Sequence, residues 1–216
     1  MNASNDRLLH ELTDAVYRCV LEPEGWSQVM ALMRRRFPSS AQTFYFLERD
    51  ARRLRAVCLD GIERKRLADF DALFFAADNP WMRVSERLHR PGIVRTNERL
   101  DAVLGEEGAL YHCAYYHDWM RPQGFHFTIG NTLLAEASTI ANVTLMRPRD
   151  MPTFDATEVR DFENLTGHMR RALALTARLE REDPRAARAQ ALAGLPQPVA
   201  VVRADLGLVY ANAAME

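Results

Sequence analysis

The sequence predicts an α+β fold, an antiparallel sheet flanked by helices with a long helix towards the C-terminus. Three observations predict it. Residues 41–47 are rich in aromatics and read as a strand, and residues 54–59 return after a polar turn, so the two form a strand hairpin. Residues 125–136 and 138–146 form a second such pair, meeting near Ala137. Between Asp155 and about Arg181 apolar residues recur at helical spacing without a break.

The remaining elements follow in chain order. Residues 6–21 place Leu8, Leu12, Ala15, Val16 and Cys19 at helical spacing, and Pro23 and Gly25 end that helix. Residues 26–37 form a second helix, with Trp26, Val29, Met30, Met33 and Phe37 on one side. A helix over 62–77 stops at Asn79-Pro80. A short helix over 81–88 and an extended piece at 93–95 come next. A helix over 106–120 is halted by Pro122 and Gly124. Asp155 is placed to cap the long helix. Asp183-Pro184 restarts a helix to about residue 193, residues 194–198 form a linker, and 198–203 and 207–210 pattern as two further strands.

Composition bounds the function. The 216 residues carry a net charge of −1, which gives no general attraction to nucleic acid or to an anionic membrane. Cys19, Cys58 and Cys113 have no close pair, so a disulfide framework is not expected and a cytoplasmic setting is. The N-terminus is charged where a signal peptide needs an apolar core, and the stretch 122–135 is too short and polar to span a bilayer. No nucleophile elbow, phosphate-binding glycine loop or His-Glu-x-x-His is present, so an enzyme is not expected.

Aromatic residues supply the candidate site. Tyr111, Tyr115 and Trp119 fall at i, i+4 and i+8 of one predicted helix; Phe70, Phe74 and Phe75 share another; Phe44, Tyr45 and Phe46 sit on the first strand. Rings with a few polar tips suit a small organic ligand, although the same rings can simply fill a core. The ligand-facing residues expected are Tyr45, Phe70, Phe74, Asn79, Trp81, Tyr115 and Trp119. Asn79-Pro80 can equally be a plain turn. His112, Cys113 and His117 crowd one segment but lack the three or four converging ligands of a metal site, so no metal or cofactor is expected, with a haem or redox sensor as the lesser alternative. The runs Arg34–Arg36 and Arg52, Arg53, Arg55 are expected to be solvated. On the long helix Phe162, Leu165, Met169, Ala172, Thr176 and Leu179 step by three and four, a seam suited to pairing with a second copy or to lying on the chain's own sheet.

The segment Tyr116-His117-Asp118-Trp119-Met120-Arg121-Pro122-Gln123-Gly124-Phe125 resembles the N-terminal sensor region of LuxR-type transcriptional regulators. Trp26, Asn79-Pro80-Trp81, Leu145-Met146-Arg147-Pro148, Phe154-Asp155 and His168 to Leu173 agree with it in order. The resemblance implies a GAF- or PAS-like sensor over residues 1–182 and a ligand-sensing, dimerising role. A ligand-free interaction module is the alternative. Where acyl-homoserine-lactone receptors of that group have Asp-Pro followed by a tryptophan, this chain has Asn79-Pro80 and Val94, which argues against a homoserine lactone. After a helical linker at 183–197, residues 198–216 resemble the opening of a PAS domain, with Val199 to Val202 and Val209 to Ala214 as its first strands and turn. Nothing resembles the DNA-binding domain of such regulators, so DNA would be reached only through a domain absent from this chain.

Overall fold

Strands β4 (Phe127–Ala135) and β5 (Thr139–Arg147) alternate with period two, and both of their faces are covered. Ile129, Asn131, Ala141, Val143 and Leu145 face one way; Thr128, Gly130, Thr132, Asn142, Thr144 and Met146 face the other. Together with β1 (Ala41–Glu48), β2 (Arg53–Asp60) and β3 (Val94–Thr96) they form a five-stranded sheet of order β2-β1-β5-β4-β3. Every neighbouring pair is antiparallel. The computed structural model describes residues 3–48, 53–136, 139–182, 200–202 and 208–211.

The first face carries α1 (Ala3–Arg18), α2 (Trp26–Arg36) and, as far as Ala172, α7 (Ala156–Glu182). Trp26 meets Phe44 edge-on at 5.2 Å between ring centroids, and Phe37 meets Phe162 at 5.7 Å. Burying each such side chain contributes about 1.5–3 kcal/mol. The Asn131 amide donates to Thr166 Oγ1 on α7 at 2.7 Å, tying the helix to the sheet.

Of the two surfaces the seam on α7 could meet, the one it packs on here is the chain's own core. Phe162, Leu165, Met169 and Ala172 are buried within the chain itself, because the stripe that could have paired with a second copy lies in the core beside Phe37 and Thr166. Leu179 is exposed, as is Leu175. The run Arg34–Arg36 is also not simply solvated: Arg36 is buried and pairs with Asp161, and Arg34 pairs with Asp60 at 2.9 Å.

The second face is covered by α3 (Leu67–Phe74), α4 (Pro80–Arg83), α5 (Ser85–Leu88), α6 (Asn97–Leu104) and a π-helical turn at Tyr115–Met120. Here the structure departs from expectation in two places. Helix α6 was not read from the sequence, although Thr96 caps it by accepting from Arg99 N–H and Gly105 closes it at φ 71°. The helix expected over 106–120 is broken. Gly108 sits at φ 69°, a 3-10 turn spans Ala109–His112, and Cys113 is extended before the π turn begins. Asp101 holds the break by accepting from the N–H groups of Gly108 and Ala109 at 2.7 and 3.1 Å.

The chain divides into a unit of residues 1–172 and a second of 173–216. In the second, β6 (Ala200–Val202) and β7 (Leu208–Ala211) pair antiparallel, as their pattern predicts. The helix expected at 184–193 and the linker at 194–198 lie outside the described residues.

Candidate functional site

Between the second face of the sheet and the helices over it lies a cavity of about 900 Å³. Its floor is set by strand register. Thr43, Thr144, Gly130 and Arg95 stand opposite one another across β1, β5, β4 and β3, and the next row is Tyr45, Asn142 and Thr132. All seven side-chain positions line the cavity. A polar face on a strand usually meets open water; here it meets a partly open cavity roofed by helices.

The roof is aromatic. The π turn brings Tyr115 and Trp119 into a stack, 5.3 Å between centroids and 12° between planes. Phe70 lies 5.1 Å from both Phe74 and Trp119. Trp119 is fixed by its Nε1–H, which donates to the Arg66 carbonyl at 2.8 Å. The Gln123 side chain donates to the Trp119 carbonyl and accepts from Glu63 N–H. The Asp118 to Gln123 stretch thus latches the entry of α3 over the cavity.

Arg95 dominates the floor electrostatically. Its Nη1 donates to Thr132 Oγ1 at 2.7 Å and its Nη2 to Asn142 Oδ1 at 3.3 Å. Thr132 Oγ1 donates to Asn142 Oδ1, and Asn142 Nδ2 points at the Tyr45 hydroxyl at 3.5 Å. Burial pulls the Arg95 guanidinium down to about 10, which leaves it charged at neutral pH. His89, on the cavity wall, is pulled to about 3 by burial and by the Arg95 charge, so it is a neutral imidazole. Burial, with Tyr45 nearby, pushes the Tyr115 phenol well above its ordinary value, so it stays protonated.

Of the residues expected to face a ligand, Tyr45, Phe70, Phe74, Trp81, Tyr115 and Trp119 line this cavity, and Asn79 does not. Asn79 is fully buried. Its Nδ2–H donates to the Phe74 carbonyl at 2.6 Å and its Oδ1 accepts from Trp81 N–H at 3.1 Å, so its amide closes the α3–α4 turn. Tyr111 also leaves the predicted face. The break at Cys113 sends it to stack on His126 at 4.4 Å and to accept from Asn97. Sequence reasoning missed Arg95, Asn142, Thr132 and His89. The available signal was the Thr128, Gly130, Thr132 alternation beside Asn142 and Thr144, a polar stripe with no charged solvent residues in it.

The residues of the haem or redox alternative diverge. Cys113 is buried, its thiol donates to the Leu110 carbonyl and is raised by burial, whereas His112 and His117 are exposed. Among the described residues no group of three His, Cys, Asp or Glu side chains could hold a metal, and no helix is long and apolar enough to cross a membrane.

The fold matches the VqsR LBD domain from Pseudomonas aeruginosa with a TM-score of 0.56 at 12% identity, over 82% of this chain and 98% of that one. It matches CepR2 from Burkholderia cenocepacia, an N-acylhomoserine lactone dependent LuxR family transcription factor, with a TM-score of 0.53 at 17% identity, over 84% of this chain and 100% of that one. The chain shares its fold with these two proteins. No protein-family model and no curated protein matches the sequence. Within this fold the cavity is lined wholly by residues of the 1–172 unit.

Proposed function

We propose that the chain is the ligand-sensing region of a LuxR-type transcriptional regulator, with no catalytic role of its own. The observation that carries this reading is the 900 Å³ cavity, sized for a small organic molecule and roofed by the Phe70, Phe74, Tyr115 and Trp119 rings. Ligand held between roof and sheet would favour one arrangement of α3 and the π turn over another, and so bias whatever follows. The likeness in fold to regulators supports the reading. Homoserine lactones are not the favoured ligands, since the Asn79 amide is committed to its turn.

The finer parts of the proposal are four. The region acts as a homodimer, through exposed residues such as Leu175 and Leu179 rather than through the buried stripe of α7. The β6–β7 hairpin begins a PAS-like unit. DNA is contacted through a separate domain, and the protein works in the cytoplasm.

The test is a thermal-shift screen of small organic compounds on the purified chain. A ligand at about a hundred times its Kd should raise the Tm by roughly 5–10 °C. A folded Trp119→Ala variant should lose that response. An equal response in that variant would remove the cavity from the proposal, and sedimentation as a monomer would remove the dimer.

A further inference from the structure

We propose that the cavity takes an organic acid, whose carboxylate pairs with Arg95 while its aromatic or alkyl body packs under Phe70, Tyr115 and Trp119. This rests on the reading of the cavity as a ligand site and adds the chemical class of the ligand.

Arginines elsewhere in the chain supply the comparison. Among the described residues Arg36, Arg95 and Arg147 are the buried arginines. Arg36 pairs with Asp161, and Arg147 pairs with Glu158. Arg95, only 8% exposed, forms no ion pair with any described residue. Its partners are a hydroxyl and an amide oxygen, both neutral. A buried cation without a counter-ion is costly, and a planar guanidinium matches a carboxylate in two-pronged geometry. The two protein-paired arginines lie in packed core; the third borders open volume.

Space for the guanidinium is provided by Gly130. A Cβ there would stand 3.2 Å from Arg95 Nη2 and 3.0 Å from Thr144 Oγ1. Every other polar group of the floor is uncharged: Thr43, Tyr45, Thr128, Thr132, Asn142 and Thr144. His89 is neutral, so it adds a hydrogen-bonding group and no charge. Glu86 and Arg90 also line the cavity, but both are exposed, and Arg90 Nε donates to the Glu86 carbonyl at 2.7 Å. One buried positive charge on a floor of otherwise neutral groups, under an aromatic roof, selects a single carboxylate on an apolar body, and neither a dianion nor a cation.

The experiment is calorimetric titration of the full chain with indole-3-acetate, cinnamate, 4-phenylbutanoate and decanoate, each against its own primary amide. At least one acid should bind about 30-fold tighter than its amide, the scale of a charge-assisted hydrogen-bond pair. Arg95→Gln should abolish the preference for acid. Asn142→Asp is the second variant: it builds a carboxylate beside Arg95, so the unliganded Tm should rise and acid binding should be lost. Amides that bind as tightly as their acids, or acids that bind Asn142→Asp as tightly as the parent, overturn the carboxylate assignment and leave the cavity a ligand site. Silence from every acid and every amide counts against the cavity as a ligand site, and the assignment falls with it.

Discussion

Arg147, buried at the end of β5, and Glu158, half-buried in the first turn of α7, form a two-pronged ion pair, with Nη1 to Oε2 at 3.0 Å and Nη2 to Oε1 at 2.6 Å. Arg147 Nε also donates to the Pro38 carbonyl, and the guanidinium lies 3.9 Å over the Phe154 ring. Asp155 caps the helix by accepting from Thr157 and Glu158 N–H, and Glu158 accepts from Asp155 N–H in return. The pair therefore joins the sheet to the start of α7. Glu158→Ala strands a buried cation and should cost about 3–5 kcal/mol, read as a fall in the urea midpoint. A loss no larger than that of an exposed ion pair would show that the two-pronged pair does not hold α7.

Asn79 is predicted to matter for stability and not for ligand. Asn79→Ala leaves the Phe74 carbonyl and the Trp81 N–H without their partner and should cost about 1–3 kcal/mol. Affinity for a bound acid, measured well below the variant's Tm, should stay within about two-fold of the parent, under 0.5 kcal/mol. A large affinity loss with unchanged stability would return Asn79 to the ligand site.

These two cases explain what the sequence could and could not disclose. The segments Leu145 to Pro148 and Phe154-Asp155 were legible from a family resemblance, and within them Arg147, Phe154 and Asp155 gather at the start of α7. The strand hairpins and six aromatic wall residues were legible because ring content and polar turns are local properties. Arg95 was not, because its meaning depends on strand pairing: only the register of β3 against β4 lays it over Gly130 and beside Asn142. The broken helix at Cys113 was hidden for a similar reason. Tyr111 and Tyr115 have helical spacing, but the backbone turns left-handed at Gly108, where Asp101, outside the expected helix, holds the N–H groups of Gly108 and Ala109, and it is extended at Cys113. The seam on α7 was read correctly as a stripe, and a stripe alone does not say which surface it meets.

Gly130→Ala separates the close approach of Arg95 from ordinary strand preference. In most strands alanine would be tolerated or would help, since glycine loses more entropy on folding. Here the new methyl would meet Thr144 Oγ1, Arg95 Nη2 and the Val143 carbonyl oxygen at 3.0, 3.2 and 3.2 Å. Overpacking should win, at about 1–3 kcal/mol. Acid affinity should fall as the guanidinium is displaced. A variant as stable as the parent in urea, with acid binding intact, would mean that Arg95 has room to spare.

His89 predicts a pH dependence whose sign is fixed by its environment. Burial and the Arg95 charge hold its imidazole at about 3 against an ordinary 6.5. Between those values the unfolded chain binds a proton that the folded chain does not, so acid favours unfolding. The contribution is fully present above about pH 6.5 and is lost progressively as the pH falls towards 3. His126 and His168 are lowered as well, mainly by burial, and act in the same direction. Replacing His89 with glutamine keeps a neutral polar group and removes one titration. Urea midpoints measured at pH 7, 6 and 5, values that bracket the imidazole range, should fall less steeply for His89→Gln than for the parent. Parallel curves would mean that His89 charges freely in the folded chain, and that the Arg95 field does not reach it.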